Sequence, residues 1–544
     1  MEDARAKEIV QQWSRLDSES ANTMSLYQQV ADHFFVRENS ITSTKTPGED
    51  KSLSIYDPTG QLDLQYMVSG LYASIMPNGQ YFYRLSSSDP GVADIPHVAG
   101  YLNRLTELGH NEMLKGNLPS ELSEWLYSLA GFGTGNIFSG WDSENLTLYF
   151  KDWDVANYRF WTDFKGYPAG VIIKWNYTAQ QAYEEFGEDA GRQVVECAKD
   201  VNKSYEKFSF LWRVQKRKNR DAGKSDNLNM PWEEVVVNEK EKTVVKETGY
   251  RRFPYHIARW TLSSQEIWGR GQGTVALSAD KDLQQQWKSL LTCANLNNFP
   301  PYEVPWSFDG TPRITPGAMN RVLELGSIKP LDRAMYGNFP VTQETIAMQH
   351  EIIHDCFFKK IFAPLDDLTG DRRTQIEIME RIKSGYIRLI NPITRIYAEG
   401  LSKLIENCTL LLIENHMIEP PPAELQKVRI DYLGRLALAL QEQQVDAFQR
   451  FSEFAVQMEA VVPGFFRKTI NIGRASRRMA SVYGMNEGDL NTPEEQLNIE
   501  QQEQQQRAAE QAMLAAESAG KAYKDASVAP QPGSPAEALV AAEV

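Results

Sequence analysis

Two long amphipathic helices, separated by a proline-bounded insert, are the clearest pattern of apolar and polar positions in the chain. Residues 274–298 contain no Pro or Gly, and their apolar side chains recur at spacings of three and four, which places them on one helical face. These side chains are Leu283, Trp287, Leu290, Leu291 and Ala294. Pro300-Pro301 ends this helix, because proline has no N–H and its ring excludes the helical conformation of the residue before it.

A second helix of similar length is predicted at Thr342–Phe362, beyond the insert. Its apolar face consists of Ile346, Ile353, Phe357 and Ile361. The segment GRGQG at Gly269–Gly273 precedes the first helix and predicts a joint, since glycine adopts backbone angles that other residues avoid. The pattern predicts a helical hairpin that carries a small domain at its tip.

Residues 1–267 combine both periodicities and predict one large α+β domain. Helices are predicted at 3–36, 61–76, about 93–115 and about 120–130, the last ended by GFGTG at Gly131–Gly135. Strands are predicted at 81–85, 146–151, 158–162, 170–175, 205–214, 232–238, 243–246 and 256–261. Thr178–Gln181 has the capping-box pattern that begins a short helix.

The chain after the hairpin is predicted to be mostly helical. A long helix runs from Asp371 to about Met417, with a kink at Pro392, and Pro420-Pro421-Pro422 closes it. A strand at 428–432 and helices at about 435–459 and 466–483 follow.

The C-terminal region contains one further helix. Thr492-Pro493-Glu494-Glu495 places a capping Thr, a first-turn Pro and a third-position Glu in order, so a helix is predicted at 493–518. Its few apolar residues predict lateral packing against copies of itself. Residues 519–544 are rich in Ala, Pro and Ser and are predicted to be disordered.

Composition narrows the class of protein. The 544-residue chain has a net charge of −15, so general attraction to nucleic acid or to an anionic membrane is not expected. Its four cysteines are scattered with no CxxC pair, which argues for a reducing compartment and against a disulfide scaffold or zinc knuckle. The N-terminal residues lack a signal-peptide pattern, and no apolar run reaches membrane-spanning length. We expect a soluble multidomain protein made inside the cell.

One motif suggests a zinc peptidase. His350-Glu351-Ile352-Ile353-His354 places two histidines on one helical face with a Glu between them, as in zinc sites where the Glu is the general base. Asp355 introduces a charge where such enzymes usually carry an uncharged residue, and a third ligand would have to be Glu377 or Glu380. We therefore interpret the motif as a solvated helix face with two ordinary histidines, and expect no metal, no cofactor and no enzymatic activity.

A basic cluster follows the predicted strand 205–214. It consists of Arg213, Lys216, Arg217, Lys218 and Arg220. The cluster could suit a nucleic-acid backbone. A strand that runs out into solvent is the interpretation we favour. Gly223-Lys224-Ser225 resembles the end of a phosphate-binding loop, but the upstream glycine that such a loop requires is replaced by Lys218.

Four segments together carry a resemblance to a known family. They are GQLDLQYMVSGLYASIMPNGQYF at 60–82, LAGFGTGNIF at 129–138, PYHIARWTLSSQEIWGRGQG at 254–273, and 428–433 with the long helix after it. In this order and spacing they resemble the head-to-tail connecting (portal) proteins of short-tailed, podovirus-type bacteriophages, over roughly residues 5–500.

The resemblance implies a division of the chain into named parts. These are a wing at 1–267, stem helix 1 at 268–299, a clip at 300–341, stem helix 2 at 342–362, a tunnel loop at 363–371, a kinked wing helix at 372–418, a crown at 419–491, a barrel-like helix at 492–518 and the tail at 519–544.

The resemblance also implies a role without bond chemistry. Portal proteins form rings, usually of twelve subunits, at one capsid vertex of the virion, and serve genome packaging, retention and ejection. The implied partners are double-stranded DNA in the channel, the terminase large subunit, tail adaptor and tail proteins, and capsid and scaffolding proteins, with no membrane. The alternatives are the zinc metallopeptidase and a structural scaffold protein that forms no ring.

Two groups of residues are hypotheses for contacts. Lys359, Lys360, Arg372 and Arg373 flank the tunnel loop and are expected to face DNA. Trp306, Phe308 and Arg313 are expected to contribute to subunit or motor contacts of the clip.

Overall fold

The structure is a computed structural model, and its chain separates into two units, Met1–Leu440 and Gln441–Val544. In the first unit it describes residues 3–35, 40–43, 55–77, 80–93, 95–298 except 222 and 225, 302–306, 311, 328–330, 340–362, 385 and 388–434. In the second it describes 451–455, 457–458 and seven single positions between 502 and 514. The described residues of the second unit are helical.

The first unit is mixed α/β, as the sequence predicts. Its helices are α1 (Ala4–Phe34), α2 (Thr59–Ile75), α3 (Pro90–Ala93), α4 (Pro96–Lys115), α5 (Leu118–Gly131), α6 (Ala179–Phe186), α7 (Arg192–Lys199), α8 (Gln272–Asn298), α9 (Pro340–Cys356), α10 (Lys359–Phe362) and α11 (Ser402–Glu414). Residues 388–395 are also helical, and a π-helix at Ile396–Leu401 joins them to α11. Within the described residues, no helix is both long enough and apolar enough to cross a bilayer.

Within the described ranges the strands form four antiparallel sheets. They are β1 (Tyr83–Ser87), β2 (Thr134–Asp142), β3 (Thr147–Trp153), β4 (Tyr158–Thr162), β5 (Pro168–Thr178), β6 (Lys207–Lys216), β7 (Trp232–Asn238), β8 (Thr243–Tyr250), β9 (Tyr255–Arg259), β10 (Tyr302–Glu303), β11 (Lys329–Pro330) and β12 (Val428–Tyr432). The largest sheet has the order β4-β5-β6-β7-β8, and a second has the order β3-β2-β9. β1 pairs with β12, and β10 pairs with β11 within the insert.

Local sequence signals placed several of these elements correctly. Thr178 accepts a hydrogen bond from the N–H of Gln181 at 3.3 Å, and the Gln181 side chain accepts one from the N–H of Thr178 at 3.1 Å, which confirms the capping box. The predicted strands 158–162, 232–238 and 428–432 coincide with β4, β7 and β12. The prediction of one unbroken helix as far as Phe362 was wrong at the C-terminal end of that helix. Phe358 has a positive φ of 55° there, which separates α9 from α10.

One long helix connects the two main layers. The first half of α1 packs Ile9, Trp13 and Leu16 against the five-stranded sheet. Its second half places Tyr27 and Phe34 in the main core, together with side chains of α2, α5, α8 and α9. α1 therefore fixes the position of the helical part of the unit relative to the sheet.

Two glycine segments contact each other at the start of α8. Gly133 has a φ of +101°, and a Cβ added to it would lie 2.2 Å from the backbone N of Gly271. A Cβ added to Gly269 would lie 2.1 Å from the carbonyl O of Gly133. The N–H of Gly271 donates to the carbonyl of Phe132 at 3.0 Å. Side chains at these positions would collide with backbone, so the turn after α5 and the start of α8 fit only as glycine.

Polar side chains form hydrogen bonds at the contact between the two glycine segments. The Tyr27 hydroxyl donates to the carbonyl O of Gly269 at 2.6 Å and lies 3.1 Å from Oγ1 of Thr134. The same Thr134 oxygen accepts the N–H of Gly269 at 2.8 Å. Burial raises the pKa of Tyr27 far above its ordinary value, so its hydroxyl keeps the proton that it donates.

A buried ion pair joins the π-helix to the end of β9, close to the glycine segments. Arg259, at the end of β9, donates from Nη2 to Oε1 of Glu399 at 2.8 Å and from Nε to Oε2 at 3.0 Å. Glu399 lies in the π-helix, where a Cβ added to the neighbouring Gly400 would lie 2.6 Å from the Trp125 ring. The helical residues 388–395 continue through Pro392, and the π-helix begins four residues after it.

We expect Gly133→Ala to lower the free energy of unfolding by about 3 kcal/mol or more. The substitution adds the strain of a left-handed conformation to a collision with backbone atoms, and each costs about 1–3 kcal/mol. Urea unfolding of the purified protein measures this loss.

Gly166→Ala is the matched control for this substitution. Gly166 has a φ of +83° and no heavy atom within 4 Å of an added Cβ, so only the conformational strain remains. Equal losses for the two variants would show that the contact between the glycine segments contributes nothing.

Candidate functional site

The α8–α9 hairpin contains the residues that the sequence singles out. α8 buries Ala276 and Leu283 in the main core, and α9 buries Ile346 and Ile353 in the same core. The two helices pack against each other. Tyr302 pairs with Pro330 and Glu303 with Lys329, so the two described ends of the insert meet in a short antiparallel ladder.

The exposed surface of the hairpin is mainly polar but contains apolar side chains. Val275 and Leu291 on α8 are 59% and 43% exposed, and Met348 and Ile352 on α9 are 63% and 38% exposed. Glu344, Glu351 and Asp355 are exposed on α9 beside them. This surface is left uncovered by the rest of the chain that the structure describes.

The two lysines predicted to face DNA each lie beside carboxylates. Lys360 Nζ lies 2.8 Å from Oε2 of Glu351 and 3.3 Å from Oδ1 of Asp355. The hydrogen bond to Glu351 raises the pKa of Lys360. Lys359 Nζ lies 3.4 Å from Oδ1 of the buried Asp63. A phosphate would therefore compete with carboxylates for both lysines.

The remaining predicted contact residues divide into two groups. Trp306, which follows β10, is fully exposed and accessible to a partner. Arg372, Arg373, Phe308 and Arg313 lie outside the described residues, as does the tunnel loop at 363–371. The proposed roles of both groups remain predictions.

The two histidines of the zinc-like motif bind carboxylates from another part of the chain. His350 Nε2 lies 2.8 Å from Oδ2 of Asp57, and His354 Nδ1 is hydrogen-bonded to Oδ2 of Asp63. Glu351, between them, pairs instead with Lys360 on the surface. The described residues contain no group of three or more His, Cys, Asp or Glu arranged for a metal ion, and Glu377 and Glu380 lie outside them.

Two arginines of the basic cluster, Arg213 and Arg217, belong to an internal network, so the interpretation of the cluster as a strand that runs into solvent is wrong for these two. Arg213 Nη2 lies 3.2 Å from Oε1 of Glu233, and Arg217 Nη1 lies 2.8 Å from Oε1 of Glu247. Arg5 on α1 bridges both carboxylates, at 3.0 Å to Glu233 and 2.7 Å to Glu247. The side chain of Arg213 is only 3% exposed.

This network joins α1 to the sheet. Burial raises the pKa of Glu247, but hydrogen bonds from Arg5 and Arg217 outweigh it and hold that pKa below its ordinary value. Glu247 therefore favours the charged form that the arginines need. Lys216, Lys218 and Arg220, by contrast, are exposed.

No local signal in the sequence indicates these partners. Asp57 and Asp63 lie 293 and 291 residues before the histidines they bind, and Arg5 lies 242 residues before Glu247. Buried carboxylates and arginines need partners of opposite charge, but only the fold determines which partners they meet.

We expect Arg213→Met to lower the free energy of unfolding by about 1–3 kcal/mol, because the buried Glu233 loses one of its two arginine partners and keeps only Arg5. Affinity of the folded protein for DNA should not change. Urea unfolding and filter binding measure the two quantities. The exposed Lys216→Met is the control, with an expected stability change within about 0.5 kcal/mol. Weaker DNA binding by Arg213→Met at unchanged stability would contradict the assignment.

Comparison with known proteins identifies the family to which the chain belongs. The family described as "Bacteriophage head to tail connecting protein" matches residues 6–490. The "Probable portal protein" of Bordetella phage BPP-1 is 24% identical over 458 residues, which cover 83% of this chain and 82% of the relative. The "Portal protein" of Salmonella phage epsilon15 is 22% identical over 509 residues, covering 91% and 90%. The chain therefore belongs to the family of bacteriophage head to tail connecting proteins.

Proposed function

We propose that the protein is the portal subunit of a short-tailed bacteriophage. Copies of the chain form a ring at one capsid vertex, and the genome passes through its channel during packaging and ejection. The observation that carries this proposal is the family match over residues 6–490, which includes the α8–α9 hairpin. The two relatives that match most of the chain are both named as portal proteins.

Exposed apolar side chains on the hairpin support assembly of many copies. Val275, Leu291, Met348 and Ile352 are large apolar side chains, each of which the described chain leaves more than a third exposed. A neighbouring copy would cover such side chains, and a head-to-tail contact repeated around an axis closes into a ring. Each chain has a net charge of −15, so the ring around the channel is acidic. DNA therefore slides through the channel without adhering to it.

The other parts take their roles from this arrangement. The insert at 300–341 is the clip that docks the terminase large subunit during packaging and the tail adaptor afterwards. Residues 1–267 and 372–418 form the wing, which contacts capsid and scaffolding proteins, and 419–518 form the crown and barrel-like helix. Twelve subunits form the ring. The subunit has a structural role and no catalytic one.

The two alternative functions make different predictions, one about metal binding and one about particle mass. A zinc peptidase needs His350 and His354 for metal, whereas both imidazoles bind carboxylates. A scaffold protein without a ring would keep a low particle mass.

Particle mass and negative-stain images of the purified full-length chain test the proposal. We expect rings with a central hole and a mass that is a multiple of the 61.8 kDa chain. Met348→Glu combined with Ile352→Glu should weaken assembly, because a carboxylate buried in the contact is costly. Val201→Glu, at a position 85% exposed far along the chain from the hairpin, is the control. A chain that stays single at every concentration would refute the ring.

Charge neutralisation tests the proposed channel contacts. We expect the combined variant Lys359→Gln, Lys360→Gln, Arg372→Gln and Arg373→Gln to form rings but to alter DNA packaging or retention, because phosphates lose their local cations. Packaged DNA per particle is the measurement.

A second variant with the same loss of charge is the control for these contacts. It replaces Lys203, Lys216, Lys218 and Arg220, which are exposed elsewhere, with Gln. Equal packaging by both variants and the unmodified protein would exclude the four channel residues as DNA contacts.

A further inference from the structure

A buried polar cluster lies between α11 and the β3-β2-β9 sheet. His256 on β9 places its Nε2 2.7 Å from Oγ of Ser139 on β2. From α11, the Nδ2 of Asn407 donates to the same Ser139 Oγ at 2.9 Å and lies 3.3 Å from the carbonyl O of Ser139. The thiol of Cys408 is hydrogen-bonded to Ser139 as well. One serine therefore joins two strands of the sheet to the helix.

The cluster is closed to solvent. His256 and Ser139 are each 1% exposed, Asn407 is 5% exposed and Cys408 is fully buried. The backbone fixes this position, since His256 lies opposite Ile137 in the pairing of β9 with β2. A charge placed on the imidazole would therefore lie away from water, where an ion without a partner is costly.

The neighbouring elements carry both signs of charge. Among the described residues, the charged and titratable groups of these elements are Asp142 at the end of β2, Arg251 and Arg252 before β9, Tyr255 and Arg259 on β9, Tyr397 and Glu399 in the π-helix, and Lys403, Glu406, Cys408 and Glu414 on α11.

The carboxylates of this set already have other partners. The pairs are Glu399 with Arg259 at 2.8 Å, Glu406 with Arg252 at 2.7 Å and Glu414 with Arg251 at 2.9 Å. Asp142 accepts hydrogen bonds within the turn between β2 and β3. The charged group whose field acts on His256 is the ammonium of Lys403. An imidazolium at this position would thus meet a like charge.

We propose that His256 is an acid-sensitive latch, which holds α11 against the β3-β2-β9 sheet while its imidazole is neutral and weakens that hold when the imidazole gains a second proton. The latch is a property of the single subunit and does not depend on ring formation.

Charge, and not the loss of a hydrogen bond, weakens the latch. The hydroxyl oxygen of Ser139 has two lone pairs, so it can accept from Asn407 and from a protonated Nε2 of His256 at the same time. A neutral hydroxyl does not compensate a positive charge, however, and a buried ion without a counter-charge strongly favours the open state, in which water reaches it.

The sign of the pH dependence follows from this burial. Burial, and to a smaller extent the nearby Lys403, lowers the pKa of His256 to about 3. Once the cluster opens, the imidazole regains the ordinary value of about 6.5. The stabilisation from neutral His256 is therefore complete above about pH 6.5 and is lost progressively as the pH falls towards about 3.

Hydrogen exchange of the full-length protein, read by mass spectrometry at pH 7 and pH 5, tests the latch. Labelling times are scaled for the intrinsic pH dependence of exchange. We expect peptides from 402–414 to open about 25-fold more often at pH 5, because the exposed imidazole titrates in this interval and the buried one does not. Most carboxylates stay charged at pH 5, and peptides from β6 should show no such change.

Two variants assign the effect to one histidine. His256→Gln keeps a polar group beside Ser139 but takes up no proton, so it should bring the ratio of opening at pH 5 to that at pH 7 close to one. His110→Gln is the matched control, since His110 on α4 is also buried and burial lowers its pKa as well. It should leave the ratio above about tenfold.

A second measurement needs no variant to fold. The slow exchange of the imidazole C2 hydrogen, followed in the peptide that contains His256, reports the protonation of that side chain. We expect no inflection between pH 5 and pH 8, because the folded imidazole stays neutral throughout.

Three results would overturn the proposal. The first is an unmodified protein whose 402–414 peptides open equally at both pH values. The second is a ratio that His256→Gln leaves unchanged. The third is an inflection near pH 6.5 in the C2 exchange of His256. Particle mass, measured in the same samples, keeps these outcomes separate from that of the ring.

Discussion

The close approach of two glycine segments is the constraint on which the rest of the subunit depends. At this point the turn after α5, the central strand β2 and the start of α8 share backbone contacts that leave no room for a Cβ. Tyr27 on α1 reaches the same point through its hydroxyl. Four elements therefore have their positions fixed by one contact, and the direction of the long hairpin follows from it.

Charged groups specify the remaining junctions. The guanidinium of Arg5 joins α1 to the sheet, and Arg259 joins β9 to the π-helix. The pairs of His350 with Asp57 and of His354 with Asp63 join α9 to α2 and the residues before it. Each junction contains a carboxylate whose side chain is at most 9% exposed, so an incorrect packing would leave a charge without compensation. In a chain with an excess of acidic residues, these few matched pairs distinguish the native arrangement from other compact ones.

Local signals in the sequence were sufficient for the elements but not for their contacts. The capping box at Thr178, the strands of the large sheet and the two hairpin helices depend on neighbouring residues, and these were predicted. Gly269–Gly273 was predicted as a joint and Gly131–Gly135 as the end of a helix, yet nothing in the sequence indicates that Gly133 meets Gly271. The functions of Arg213, His350 and His354 were misjudged or missed because their partners lie far away in the chain. Family resemblance, in contrast, depends on the order of many weak motifs and gave the function directly.

The pairing of β1 with β12 links two segments that lie more than 340 residues apart, at Tyr83–Ser87 and Val428–Tyr432. During translation, β1 emerges long before its partner and presents an unpaired strand edge until most of the chain has been made. Native closure of the first unit is therefore a late event. Nascent chains interrupted before residue 428 would lack this closing strand, so incomplete products are structurally distinct from full-length subunits before assembly begins.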